Sequence, residues 1–214
     1  MANKHTNILI IGSGLSGAVA ALTAAELNKK VTLITKSQDL LSGNTPWAQG
    51  GIAYTSPQDS AQLFMKDIIQ AGDHHSNIEA IQQLVDEGPQ LIEDLLFKKL
   101  NIPFIKDKNG QLIFTSEAAH STKRIIYCQD KTGITIQQKI LNIITDHPNI
   151  TLYTNHTAID LLTYAHHSVC SQDIYKKPAC FGAMVLNKNN NDVVAILASK
   201  TILASGGIGQ LFLH

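Results

Sequence analysis

The amino-acid sequence predicts the α/β class, with strands and helices arranged around a central parallel sheet. Near the start of the chain, Ile8–Ile11 form an unbroken apolar run of the kind found in parallel strands buried on both faces. Glycines follow at positions 12, 14 and 17, and a helical stretch then leads to a second apolar strand at Val31–Thr35. A strand, a glycine turn, a helix and a second strand in this order form the Rossmann-like unit that binds dinucleotides.

Each glycine of this turn has its own physical role. Gly12 allows the tight turn, Gly14 lets the backbone approach a pyrophosphate, and Gly17 lets the helix pack close to the strand. The helix, predicted over Leu15–Asn28, directs its N-terminal amides and the positive end of its dipole at the phosphate. The turn therefore predicts a dinucleotide site.

The identity of the dinucleotide is not decided by this unit. An acidic residue usually follows the second strand and holds the adenosine ribose. Here the strand ends in Thr35 and Lys36, and the first acid is Asp39. Lys36 favours a 2′-phosphate and hence NADP, but it fits equally a flavoprotein that lacks the acid, or a solvated lysine after a strand.

Composition and charge narrow the class of protein. The 17 lysines and arginines balance 17 aspartates and glutamates, so no basic field would attract nucleic acid. No apolar run approaches the roughly 20 residues that span a bilayer, so we expect no membrane segment. Three widely spaced cysteines and nine histidines without ligand spacing favour neither a disulfide framework nor a metal site. We expect a cytoplasmic protein.

Two further segments are candidates for a site. Ser42–Ala53 has little periodicity, and its small residues with Asn, Thr and Gln suit close approach to a flat polar ring system, so we favour function over an ordinary surface loop. Thr115–Ile125 combines a carboxylate, a histidine, hydroxyls and two cations. On composition alone, a solvated loop is the more common explanation of such a cluster.

The middle of the chain is predicted to be scaffold. Ser60–Ala71 and Ile78–Leu100 have apolar residues at helical spacing, including Ile81, Leu84, Val85, Leu91, Ile92, Leu95 and Leu96. Gly88-Pro89 interrupts the second stretch, which predicts two helices or one kinked helix. Ile102–Phe114 is predicted to form a hairpin with its turn at residues 107–110.

The last third is predicted to alternate between helix and strand. A helix begins at residues 130–133 and ends at residues 147–149, and a β-meander is predicted from Ile150 onward. A separate strand, Lys200–Ala204, then returns the chain to the parallel sheet and enters a glycine-rich loop. Because no terminal helix or polar tail follows, we expect a fragment or a truncated gene product. The predicted strands of the meander are Ile150–Tyr153, Thr157–Tyr164, Ala179–Leu186 and Val193–Ala198.

Four segments together resemble the succinate dehydrogenase and fumarate reductase flavoprotein superfamily, and within it the L-aspartate oxidase family. They are IGSGLSG (Ile11–Gly17), GNTPWAQGGIA (Gly43–Ala53), EAAHSTKRIIYCQDKTG (Glu117–Gly133) and ILASGGIGQLF (Ile202–Phe212). They occur in the family's order and spacing. The resemblance implies FAD as the cofactor. It also explains the missing ribose acid, because this group resembles other flavoproteins that have a lysine at the position of Lys36.

The resemblance also implies roles for individual residues. Glu117 and His120 would bind the substrate, with Glu117 orienting its α-ammonium group, and Ser121 and Arg124 would lie in the same segment. No catalytic residue is assigned, since the acid/base arginine, the capping domain and the C-terminal helical domain would all follow residue 214. The implied cofactor-binding residues are Gly12, Ser13, Gly14, Leu15, Ser16, Gly17, Lys36, Asn44, Thr45, Pro46, Trp47, Ala48, Gln49, Gly50, Gly51, Gly206 and Gly207.

Two positions depart from the patterns of this superfamily. The aspartate oxidase pattern has two glycines where this chain has Ala118-Ala119, and the added Cβ atoms would narrow the approach to the substrate. Succinate dehydrogenases and their relatives bond FAD covalently through a histidine at the position of Asn44. Asparagine cannot form that bond, so we expect non-covalent FAD and favour the aspartate oxidase family.

The implied reaction is oxidation of L-aspartate to iminoaspartate, with electrons passed to oxygen or fumarate. It is the first step towards quinolinate and NAD, which implies a partner enzyme of that pathway. Two alternatives stay open: a flavoprotein of the fumarate reductase or succinate dehydrogenase type, and a non-catalytic FAD-binding remnant.

Overall fold

The computed structural model of the protein describes residues 4–207. The last residues of the glycine-rich segment, from position 208 onward, lie outside this range. The chain divides into two compact units. Unit 1 runs up to Thr45 and resumes at Ile140, and unit 2 is Pro46–Lys139.

Strands and helices alternate along most of the chain. The strands are β1 (Lys4–Ile11), β2 (Val31–Ile34), β3 (Ile52–Ala53), β4 (Ile125–Ile126), β5 (Ile150–Tyr153), β6 (His156–Thr163), β7 (Cys180–Asn187) and β8 (Asp192–Leu203). The α-helices are α1 (Leu15–Glu26), α2 (Ala61–Ala71), α3 (Ile78–Ile92), α4 (Thr132–Thr145) and α5 (Tyr164–His167). Short 3-10 turns occur at Thr45–Trp47 and Ser171–Tyr175, and a π-helix at Glu93–Lys99 follows α3.

Unit 1 is built on a six-stranded sheet in the order β5-β2-β1-β8-β7-β6. The first four strands in that order are parallel, and β7 and β6 are antiparallel. Apolar side chains of β1, β7 and β8 are fully buried, among them Leu9, Val185 and Ile196. The predicted α/β class, Rossmann-like with a central parallel sheet, a β-meander and additional helices, is confirmed.

Two details of the predicted meander are wrong. β5 pairs in parallel with β2 at the opposite edge of the sheet, so the meander consists only of β6, β7 and β8. The predicted strands Val193–Ala198 and Lys200–Ala204 are one strand, β8. It lies between parallel β1 and antiparallel β7, and Ser199 and Lys200, where the two predicted strands meet, are exposed positions within it.

In unit 2 the helices begin at side-chain caps. Ser60 Oγ accepts a hydrogen bond from the Leu63 amide at the start of α2, and Asn77 Oδ1 accepts one from the Ala80 amide at the start of α3. Each cap satisfies one amide that the first helical turn leaves without a partner. The sequence therefore sets both helix starts locally.

Of the two structures predicted around Gly88-Pro89, two separate helices or one kinked helix, the first is wrong. α3 runs through Pro89 to Ile92 and continues into the π-helix without a gap. A proline inside a helix costs about 3 kcal/mol. Burial of Ile81, Val85 and Leu96 offsets that cost, whereas Leu84 and Leu91 of the predicted apolar face are exposed.

Four other sequence expectations concern local features. The hairpin of residues 102–114 is present, with a bridge between Lys106 and Leu112 and a positive φ of 80° at Gly110. All three cysteines are free. Among residues 4–207, no helix is long and apolar enough to cross a bilayer, and no group of acidic, histidine and cysteine side chains has the arrangement of a metal site.

Candidate functional site

Gly12 and Gly17 are required by the fold itself. Gly12 has a φ of 113°, and a Cβ there would collide with the carbonyl oxygen of Ala204 at the end of β8. A Cβ at Gly17 would collide with the carbonyl oxygen of Gly12. Both glycines therefore allow β1, β8 and α1 to approach each other at backbone distance.

Gly14 differs from Gly12 and Gly17 because a Cβ at this position would not collide with the rest of the protein. A Cβ at Gly14 would lie 3.6 Å from Thr45 Oγ1, which is an ordinary van der Waals distance. Gly14 is the N-cap of α1, and no side chain caps this helix, although the Leu15 amide donates to Thr45 Oγ1 at 3.2 Å. An open backbone at a helix N-terminus fits a pyrophosphate.

The candidate residues of unit 1 share one edge of the sheet. Gly12 follows β1, Lys36 follows β2, and Gly206, with a φ of 76°, follows β8. Because β2 and β8 flank β1 on opposite sides, the strand order reverses at β1. Ligands of open α/β sheets bind at such a switch point, outside the carboxyl ends of the strands.

The candidate cofactor residues differ in exposure. Ser13 and Gly17 are buried, and Gly12, Gly14, Leu15, Thr45 and Pro46 are half-buried. The exposed ones are Ser16, Lys36, Asn44, Trp47, Ala48, Gln49, Gly50, Gly51, Gly206 and Gly207. Trp47, the only tryptophan, is 77% exposed.

In unit 2, the loop that ends at Gly51 is held by backbone contacts. The carbonyl of Ala48 accepts a hydrogen bond from the Gly133 amide at 2.9 Å, and the carbonyl of Gly50 accepts one from Thr132 Oγ1 at 3.4 Å. A Cβ at Gly51 would collide with Ile125 and with the backbone of β4. The first turn of α4 and strand β4 therefore fix the path of the loop.

The same loop meets the predicted substrate-binding carboxylate. Oε1 of Glu117 lies so close to Gly50 that a Cβ on that glycine would collide with it. Glu117 is exposed. The structure thus brings together two elements of unit 2 that are far apart in the sequence.

The Ala118-Ala119 departure has a backbone consequence. Ala119 has a φ of 69°, in the left-handed region that glycine adopts without strain. The His120 amide donates to the Glu117 carbonyl at 3.2 Å, which closes a turn around the two alanines. Alanine at position 119 therefore carries backbone strain.

Arg124 is the centre of a buried ionic cluster that the sequence did not reveal. Its side chain is 0% exposed. Nε and Nη2 donate to the two carboxylate oxygens of Asp59 at 2.7 and 2.9 Å, and Nη1 donates to Asp67 Oδ2 at 2.6 Å. The guanidinium also lies 4.5 Å from the centre of the Phe64 ring, within cation–π range.

Arg124 and the two aspartates stabilise each other's charged forms. Burial alone would raise the pKa of Asp67, but hydrogen bonds from the Ser121 amide, Arg124 and the Ser121 hydroxyl hold that pKa below its ordinary value. Burial opposes the charge of Arg124, but the two carboxylates raise its pKa further. Apolar spacing predicted α2 to be scaffold, yet one signal of the cluster was present, since Asp67 falls within the apolar face that includes Phe64.

His120 is attached to the same cluster. Its Nδ1 lies 2.9 Å from Arg124 Nη1, and its half-buried ring is tilted against Phe64, with the ring centres 6.2 Å apart. Of the two predicted substrate-binding residues, His120 contacts the cluster and Glu117 lies beside Gly50, both within unit 2.

The sequence and the fold of this chain are similar to those of known proteins. The chain is 36% identical to the chloroplastic L-aspartate oxidase of Arabidopsis thaliana and to the L-aspartate oxidase of Clostridium acetobutylicum, over 98% of its length in both cases. It spans only 30% and 44% of those proteins. Its fold matches a mutant E. coli quinol fumarate reductase with a TM-score of 0.86, at 23% identity, over 99% of this chain and 34% of that one.

The family described as FAD binding domain matches residues 7–214, which is nearly the whole chain. The chain belongs to the FAD binding domain family.

Proposed function

We propose that this chain is the FAD-binding part of an L-aspartate oxidase, which oxidises L-aspartate to iminoaspartate with oxygen or fumarate as electron acceptor. The observation that carries the proposal is the contact between the Glu117 carboxylate and Gly50 in unit 2. A carboxylate beside the loop assigned to the flavin ring suits a substrate with an ammonium group. The aspartate oxidases among the relatives support the same substrate.

FAD fits the residues that are present. Gly14 and the uncapped N-terminus of α1 would hold the pyrophosphate, and Lys36 would lie near the adenosine. Residues Asn44 to Gly51 would hold the ribityl chain and the isoalloxazine ring. When bound, FAD supplies the two-electron acceptor, and the protein supplies orientation and charge placement. The match to the FAD binding domain family favours FAD over NADP, the alternative that Lys36 had left open.

The bound FAD should be non-covalent, because Asn44 has no nucleophilic ring nitrogen to bond it. After acid precipitation of the loaded protein, the yellow colour should remain in the supernatant. A protein with the covalent histidine linkage provides the positive control. Flavin fluorescence that stays with the washed pellet would contradict this prediction.

Glu117 should bind the α-ammonium group of the substrate. In the full-length protein, Glu117→Gln removes a charge-assisted hydrogen bond worth about 1.5–3 kcal/mol and should weaken the use of aspartate roughly ten- to a hundredfold. Fumarate has no ammonium group, so its reduction should change much less. Glu87→Gln, at an exposed position of α3, is the matched control. Equal losses with aspartate and fumarate would contradict the assignment.

The reaction itself can be tested with the full-length protein loaded with FAD. Anaerobic addition of L-aspartate should bleach the flavin absorbance, and fumarate should restore it. Bleaching by succinate and not by aspartate would overturn the proposed substrate and favour the succinate dehydrogenase type. No response to either would favour a non-catalytic FAD-binding protein.

Three further parts of the proposal concern the protein as a whole. We place the acid/base arginine, the capping domain and the helical domain in the part of the relatives that this chain does not span. We also propose a cytoplasmic location. Because iminoaspartate is an unstable imine, a partner enzyme of quinolinate synthesis should consume it.

A further inference from the structure

We infer that Arg124 is a positioning residue that holds His120 as the neutral Nε2–H tautomer. His120 then donates a hydrogen bond to an oxygen atom of the substrate, such as a carboxylate oxygen, while Glu117 accepts from the ammonium group. This inference rests on the proposed function in its choice of substrate. The link between Arg124 and the His120 tautomer rests on geometry alone.

The guanidinium of Arg124 cannot easily turn away from His120. Asp59 binds Nε and Nη2 as a bidentate pair, and Asp67 binds one hydrogen of Nη1. These contacts fix the plane of the guanidinium and hence the direction of the second hydrogen of Nη1. That nitrogen lies 2.9 Å from His120 Nδ1.

The protonation pattern of His120 follows from the chemistry of arginine. A guanidinium has only donors and is always charged in proteins. Nδ1 of His120 must therefore accept, because a proton on Nδ1 would place two donors face to face. In a neutral imidazole the single proton is then on Nε2, which becomes a donor.

His120 and Glu117 consequently offer complementary groups. An ionised carboxylate only accepts hydrogen bonds, whereas the Nε2–H group of His120 only donates. The two residues share the turn closed by the His120 amide and the Glu117 carbonyl. His120 is half-buried and Glu117 is exposed. An amino dicarboxylic acid has both the cation and the oxygen acceptors that this pair would bind.

The test uses the full-length protein loaded with FAD and labelled with ¹⁵N in histidine and arginine. Long-range ¹H–¹⁵N spectra report the tautomer, and the His120→Gln variant identifies the signals. We expect the Nε2–H tautomer and a through-hydrogen-bond coupling between Arg124 Nη1 and His120 Nδ1. Lys98→Met, which removes only a surface ion pair with Asp94, should keep both signals. Arg124→Met should abolish the coupling, populate both tautomers and weaken fumarate binding about tenfold.

Several results would overturn the inference. An Nδ1–H tautomer in the unmodified protein would do so without any variant, as would absence of the Arg124–His120 coupling. Bound fumarate that leaves the Nε2–H signal of His120 unchanged would overturn the assignment of the oxygen ligand. If neither aspartate nor fumarate binds although the tautomer and coupling are as expected, the proposed function fails and the positioning role of Arg124 stands.

Discussion

Replacing Arg124 by methionine should lower the free energy of unfolding by about 3–5 kcal/mol, the cost of removing one partner from a buried ionic cluster. Methionine fills much of the volume but leaves two carboxylates, Asp59 and Asp67, whose side chains are only 3% and 8% exposed. Urea denaturation of both proteins measures the difference. Lys98→Met is the matched control, because Lys98 pairs with Asp94 on the surface and its loss should change the free energy of unfolding far less.

The pH dependence of stability gives a second measure of the same cluster. The pKa of Asp67 is lower in the folded protein than its ordinary value of 3.8. Its stabilising contribution is therefore fully present above that value and is lost as the pH falls through the lower, folded-state pKa. Stability should decline below about pH 4, and the decline should be shallower in Asp67→Asn. Equal unfolding free energies for Arg124→Met and Lys98→Met would contradict the proposed role of the cluster.

Gly17→Ala should destabilise unit 1 by about 3 kcal/mol or more, at the upper end of the overpacking range. The new Cβ would collide with the backbone carbonyl of Gly12, which cannot move aside like a flexible side chain. Gly14→Ala is the matched control for stability, because its Cβ would make only an ordinary contact with Thr45 Oγ1. The same variant should weaken FAD binding roughly tenfold or more, since its methyl group would occupy the approach to the pyrophosphate.

Two measurements separate these effects. Denaturation without FAD should show a loss of stability for Gly17→Ala but not for Gly14→Ala. A fluorescence titration with FAD should show reduced affinity for Gly14→Ala although it is folded. Unchanged FAD affinity in Gly14→Ala would show that the pyrophosphate does not lie at this turn.

Local sequence patterns were sufficient to predict one part of the fold. The apolar run of β1, the spacing of Gly12, Gly14 and Gly17, and the periodicity of α1 predict one continuous unit, and these residues interact over short separations along the chain. The helix starts at Ser60 and Asn77 were equally local, because a capping residue bonds an amide three residues away. The four sequence motifs, taken in their order along the chain, also predicted FAD as the cofactor.

Contacts between residues that are distant in the sequence could not be predicted from local patterns. Asp59, Asp67 and Arg124 belong to three separate segments, and nothing near any of them indicates that the other two are its partners. The contact between Gly50 and Glu117 likewise joins distant segments, and the continuity of β8 depends on its pairing with distant strands. Helical and strand periodicities specify which face of an element is apolar, but not which element covers that face or which charge lies opposite a buried one.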